Sequence, residues 1–220
     1  MRLFDLILST IALCALSPLL LLCIIILKFT GEGEIFYVQD RVGRDNVSFG
    51  LIKFATMLKN SPNIGTGHIT VENDPRILPF GHLLRKTKIN ELPQLINIFI
   101  GDMSIIGPRP LTRDNFNIYD DGVRKKIISV RPGLSGVGSI IFRDEERFLT
   151  TQVNAKNTYR DIIAPYKGEL ETWYIDRQSL NLYFALVFLT LPAVIFPRSF
   201  NLSFFYPSLP KPPEKLVELL

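Results

Sequence analysis

KTKINELPQLINIFIGDMSIIGPRP, from Lys86 to Pro110, is the stretch toward which the other motifs of the chain converge. Leu92, Leu95, Ile96 and Phe99 recur at helical spacing, which predicts a helix that buries them as one stripe. Asn90 suits the N-cap of that helix, because a side-chain oxygen there accepts an otherwise unpaired backbone N–H. Pro93 then falls in the first turn, where its missing N–H removes no intrahelical bond. Gly101 suits the helix end, and Gly107-Pro108-Arg109-Pro110 follows as a stiff loop with one long polar side chain. The pair Asn90-Glu91 thus stands at the positive end of a helix with a guanidinium downstream. That arrangement fits phosphate chemistry, and it fits a helix cap followed by a structural turn.

Length and charge narrow the setting. A chain of 220 residues holds one sizeable core and a small accessory segment, without room for a second catalytic domain. The net charge of +4 comes from basic residues spread along the chain, which favours phosphates or a membrane surface over nucleic acid. Cys14 and Cys23 project to opposite sides of a single helix and cannot pair. His68 and His82 lack any companion spacing for a metal.

Leu6 to Leu27 carries no charge, and as a helix it would be about 33 Å long, enough to cross a hydrocarbon layer. No small-residue cleavage pattern follows it, which argues against a signal peptide. Ser17-Pro18 interrupts the run, so a kink is expected, and the helix either spans or dips into one leaflet and returns. Ile35–Val38 reads as a strand, QDRVGRDN as a polar turn carrying Arg41 and Arg44, and Phe49–Phe54 as the returning strand, with Lys53 as a candidate phosphate ligand. Asn73-Asp74-Pro75-Arg76 is a tight polar turn, so Arg76, Arg85 and Arg109 approach the Asn90-Glu91 pair from both sequence directions. Val130–Gly138 reads as a loop in which Arg131 is the best anion ligand, and Asp144, Glu145 and Glu146 as a solvated helix start. Tyr159–Tyr174 is expected to be an amphipathic helix. Leu180–Phe196 is expected to be seated at the membrane surface or shallowly embedded, with Trp173, Tyr174 and Tyr183 as interfacial residues.

QDRVG at Gln39–Gly43, KFATM at Lys53–Met57, NDPR at Asn73–Arg76, the stretch from Leu84 to Pro110 and RPGLSG at Arg131–Gly136 follow one another in an order that resembles the bacterial sugar transferases known as membrane-monotopic phosphoglycosyl transferases. The likeness runs from Arg2 to about Leu189. It implies transfer of sugar 1-phosphate from a UDP-sugar to polyprenol phosphate, with release of UMP and with Mg²⁺ as cofactor. It also implies the cytoplasmic face of a bacterial inner membrane, with the lipid bilayer as a partner, no nucleic acid and a homodimer left open.

The family places an Asp-Glu pair at the start of the central helix, where the Asp attacks the sugar-proximal phosphate and the pair serves the metal. By motif those positions are Asn90 and Glu91. An amide is a weak nucleophile and cannot form the same acyl phosphate, so the covalent route is expected to be disabled while the fold survives. The alternative is a catalytically silent relative that binds UDP-sugar or polyprenol phosphate. Ala55 also departs from the family, which usually has an arginine there. Lys53, Arg76, Arg85, Arg109 and Arg131 are the expected phosphate ligands.

The expected fold is α+β. Residues 1–30 form a re-entrant membrane helix broken at Ser17 and Pro18. Residues 31–178 form a compact, mostly helical catalytic domain with a small β-hairpin or sheet. Residues 179–220 form an interfacial or shallow membrane segment with an irregular tail.

Overall fold

Helix α1 (Arg2–Phe29) comprises 28 residues, about 42 Å of helical rise, and carries Pro18 within it, so Ser17-Pro18 does not end the helix. Pro18 has no N–H to offer the Cys14 carbonyl, and the Ser17 hydroxyl donates to that carbonyl instead, at 2.8 Å. The computed structural model describes residues 1–64, 74–143, 155–195 and 201–217. The readings made at His68, Asn73, Asp144, Glu145 and Glu146 lie outside the described residues.

α1 packs on the rest of the chain along its length. Asp5, Ser9, Cys23 and Leu27 are buried, and Ala12, Leu13 and Leu16 lie against Leu51, Leu95, Ile98 and Met103. Cys23 and Leu27 pack with Phe54 and Leu84 near the far end. Leu3, Ile7, Ile11, Leu21, Leu22, Ile25 and Phe29 remain exposed. A helix with one face on a protein core and large aliphatic residues bare on another suits contact with lipid.

Strands β1 (Phe36–Val42) and β2 (Ser48–Phe54) form the expected antiparallel hairpin. Its strands run further than the sequence suggested. Gln39 to Val42 stays extended, and the chain reverses at Gly43–Val47, where Asp45 and Asn46 take positive φ. Tyr37 faces Lys53 and Arg41 faces Phe49 across the hairpin, so alternation puts Arg41 and Lys53 on one face.

After α2 (Pro79–Lys86), a tight helical turn at Ile89–Glu91 precedes α3 (Gln94–Ile100). Asn90 therefore sits inside the turn and does not cap α3, which begins after Pro93 without a side-chain cap. The expected stripe is also corrected. Leu95 and Ile98 are buried while Ile96 and Phe99 are exposed. The polar Asn97 sets this phase: it donates to the Gly50 carbonyl at 2.8 Å and accepts from the Ile52 N–H at 3.0 Å, which turns it inward against β2. Gly101 ends the helix at φ 107, as its sequence position predicts.

β3 (Ser104–Ile106) pairs in parallel with β4 (Gly133–Ser135), and α4 (Arg113–Ile118) and α5 (Asp121–Ile127) lie in the connection. β4 and the start of α6 (Val137–Ile141) occupy the stretch read as a loop. The main core joins these to α7 (Ala164–Asp176) and α8 (Leu180–Ile195). Trp173, Tyr174 and Tyr183 are buried in that core rather than interfacial. The Tyr174 hydroxyl donates to the Ile106 carbonyl at 3.3 Å and the Tyr183 hydroxyl to Asp5 at 2.8 Å, so both polar ends are satisfied inside. α8 turns Leu182, Leu186 and Ala193 inward and leaves Phe188, Leu191 and Ile195 exposed. Beyond it, the tail carries two short helical turns, Leu202–Phe205 and Glu214–Val217, within otherwise irregular chain, and Leu202, Leu209 and Leu216 complete the core. The fold is α+β, mostly helical, with small two-stranded sheets.

Candidate active site

Lys88 adopts left-handed φ of 59, which reverses the chain after α2 and directs the turn Ile89–Glu91 toward the β1–β2 hairpin. Arg109 comes from the loop after β3, and its Nη2 stands 3.3 Å from Glu91 Oε1. Lys53 from β2, Arg41 from β1 and Arg85 from α2 all act electrostatically on the same carboxylate. Burial alone would raise the Glu91 carboxyl; Arg109, Lys53 and Arg85 outweigh it and hold the group below the ordinary value. Burial pushes Lys53 down to about 7, aided by Arg109, Arg41 and Arg85 and opposed by Glu91. Burial likewise lowers Arg41 to about 10, with repulsion from Arg109. A cluster this rich in cations around one acid is poised for an anion of more than one charge.

The Glu91–Arg109 pair borders a cavity of about 340 Å³. Leu92, Ile105, Leu134 and Val187 supply apolar wall, and Lys167 and Arg143 also line it. Small-molecule sites commonly combine such apolar lining with a few convergent polar groups.

Residues 1–197 match the family model described as bacterial sugar transferase. The chain belongs to that family. The exopolysaccharide production protein ExoY of Sinorhizobium fredii is 34% identical over 211 residues, covering 90% of this chain and 86% of the relative. The UDP-N-acetylgalactosamine-undecaprenyl-phosphate N-acetylgalactosaminephosphotransferase of Aeromonas hydrophila is 31% identical over 193 residues, covering 87% of this chain and 42% of the relative. The undecaprenyl-phosphate galactose phosphotransferase of Salmonella typhimurium is 30% identical over 209 residues, covering 88% and 40%. The two relatives named as phosphotransferases are thus much longer than this sugar transferase.

Of the residues singled out in the sequence, the fold gathers Lys53, Arg85, Glu91 and Arg109. Asn90 lies beside them, only 6% exposed, and its Oδ1 is buried without a hydrogen-bond partner. An orphaned buried acceptor is costly, and here it falls at the position where the resemblance leads one to expect a carboxylate. Arg76 is not brought into this group. It is buried with Nε and Nη2 on the Asp74 carboxylate at 2.8 and 2.6 Å, and its Nη1 donates to the Ser61 and Ile64 carbonyls, which makes it a brace for its own turn. Arg131 is also directed elsewhere, with its Nε donating to the Gly101 carbonyl at 2.8 Å, at the negative end of α3.

Two side chains escaped the sequence reading. Arg41 was assigned to a turn, and the signal for its role was the two-residue period that places it on the face of Lys53. Glu171 is 5% exposed on α7, and its carboxylate lies against the Arg109 backbone. Burial pushes it up to about 7, against the pull of the Arg109 backbone and of Lys167. Its only sequence signal is an acid one residue after the buried Leu170 and three before the buried Tyr174.

Proposed function

We propose that this site accepts a UDP-sugar and polyprenol phosphate, and that Asn90 disables the covalent transfer of sugar 1-phosphate that the same framework performs with a carboxylate at position 90. The observation that carries the reading is the Glu91–Arg109 pair, surrounded by Lys53, Arg41 and Arg85, at the edge of an apolar-walled cavity. Relatives bearing undecaprenyl-phosphate phosphotransferase names support the choice of substrates.

In the parent chemistry a carboxylate oxygen at position 90 attacks the sugar-proximal phosphorus. The bond to the UMP oxygen breaks, and UMP leaves with that electron pair. A phosphate oxygen of the polyprenol phosphate then attacks the same phosphorus and frees the carboxylate, giving polyprenol-diphosphate sugar. Arg109 offers its guanidinium to the transferred phosphoryl group, and Arg85, Arg41 and Lys53 offset the remaining charge. The amide of Asn90 keeps the shape but lacks the nucleophilic oxygen.

Mg²⁺ fits the donors at this position. Glu91 supplies a carboxylate and Asn90 an unpartnered buried oxygen, and Mg²⁺ characteristically takes one or two protein oxygens together with substrate phosphates. Bound there, the ion would neutralise charge on the diphosphate. A second reading, donor binding without turnover, is favoured specifically by Asn90.

Binding of UDP is expected to be proton-linked. Lys53, at about 7 in the free protein, is drawn to its charged form by a bound diphosphate, so the complex takes up protons near neutral pH. Affinity is then greatest below pH 7 and falls as the pH rises toward 9. Titration calorimetry in buffers of different ionisation enthalpy measures the uptake; Lys53→Met should abolish it, and binding independent of buffer and pH in the unaltered chain would remove Lys53 from the ligand set.

The proposed setting is the cytoplasmic face of the inner membrane, where a UDP-sugar is available, with both ends of α1 on that face. Packing of the Asp5 and Leu27 ends of α1 onto one folded body supports this, because a spanning helix would carry its ends to opposite sides. A cysteine placed next to Met1, in a Cys14→Ser background, is expected to resist a membrane-impermeant thiol reagent in intact cells and to react after permeabilisation. Efficient labelling in intact cells would place that end outside.

A further inference from the structure

The segment that delivers Arg109 is held at every step. The Ser104 hydroxyl and the Ile105 N–H donate to Asp5 Oδ1 at 2.9 and 3.0 Å, and the Tyr183 hydroxyl donates to the same oxygen at 2.8 Å. Tyr174 holds the Ile106 carbonyl, the Gly107 N–H donates to the Ser135 carbonyl at 2.9 Å, and the Pro108 carbonyl accepts the Gly133 N–H at 2.8 Å. The Arg109 backbone then faces the buried Glu171 carboxylate. Gly133 and Gly107 lie so close that a Cβ on Gly133 would collide with the Gly107 backbone. The segment from Ser104 to Arg109 therefore has little freedom to bend between its ends, and a shift at one end is felt at the other.

Asp5 belongs to the first turns of α1 and is only 2% exposed. Beside it, Arg2 donates to the Ile98 and Phe99 carbonyls at 2.5 and 2.8 Å, so this end of the apolar helix is fastened to α3 as well as to β3. A single carboxylate oxygen that collects three donors from β3 and α8 is far more specific than helix packing requires, since burying a carboxylate is costly unless its bonds are made.

We propose that Asp5 is a positioning residue for Arg109: it registers β3 against the membrane helix, so that the seating of α1 and the aim of the phosphate-holding guanidinium are mechanically coupled. The inference rests on the reading of Arg109 as a phosphate ligand.

The test is a double-mutant cycle on the full chain, with UDP affinity measured by calorimetry and the melting temperature recorded for each variant. Asp5→Ala is expected to weaken UDP binding by about 5–10-fold with Arg109 present and by less than about 2-fold in an Arg109→Ala background. Asp5→Asn keeps an oxygen acceptor in place and should recover most of the loss. Tyr183→Phe removes one of the three donors and should give a smaller loss with the same dependence on Arg109, and it carries the cycle if Asp5→Ala does not fold. Equal losses in both backgrounds, or a folded Asp5→Ala that binds UDP normally, overturn the coupling while leaving Arg109 as a ligand. Unchanged UDP affinity in Arg109→Ala alone removes the ligand itself and overturns both readings.

Discussion

Asn90→Asp is expected to raise polyprenol-phosphate-dependent UMP release on the order of a thousand-fold or more, because it supplies the nucleophile that an amide lacks. The exchange adds no heavy atom and enters a buried turn whose fold is set by its neighbours, so the melting temperature should change little. Two adjacent acids would repel each other on their own. Here Arg109, Lys53 and Arg85 already hold Glu91 ionised, and the same field favours a second carboxylate. The side chain of Asn90 makes no capping bond, so a cap alone does not account for its burial beside the cationic cluster. If position 90 served only the local turn, the substitution would leave UMP release unchanged. The assay requires intact-mass measurement of the Asn90 protein, since deamidation to Asp would imitate the engineered variant.

Arg109→Lys is expected to weaken UDP binding about ten-fold, and Arg109→Ala about a hundred-fold, with little loss of stability. Lysine keeps the charge but loses the fork that grips two phosphate oxygens; alanine loses both. The pair with Glu91 is partly exposed on the arginine side, and Lys53 and Arg85 remain to face the carboxylate when Arg109 is replaced, so the loss of folding stability is small. Calorimetry gives the affinities and thermal unfolding the stability. If affinity and melting temperature fell together by matching amounts, Arg109 would be a brace for its Pro108–Pro110 loop rather than a ligand.

The linked motifs around Glu91 and Arg109 were legible because they depend on residue type and local order. The hairpin was legible too, since two short apolar runs, IFYV and FGLIKF, flank a polar turn rich in residues that reverse the chain. Helix phase around Ile96 and Phe99 was not, because the tight turn at Ile89–Glu91 and the inward pull on Asn97 from β2 reset it, and both are tertiary effects. Arg76 illustrates the opposite error. Nearness in sequence to the central stretch suggested a ligand, yet the neighbouring Asp74 captures its guanidinium two residues away. Trp173, Tyr174 and Tyr183 carried an interfacial signature, and only the folded partners Ile106 and Asp5 show how the two tyrosine hydroxyls are satisfied in a core. Glu171 was the least legible, because its role depends on the Arg109 backbone from a distant strand.

Intact-protein and peptide mass spectrometry after brief exposure to a UDP-sugar, without polyprenol phosphate, tests the central claim most directly. The Asn90→Asp protein should gain one sugar-phosphate mass at position 90 and lose it when polyprenol phosphate is added, while the Asn90 protein gains none. A sugar-phosphate adduct at another residue, or robust turnover by undeamidated Asn90 protein, would contradict the account.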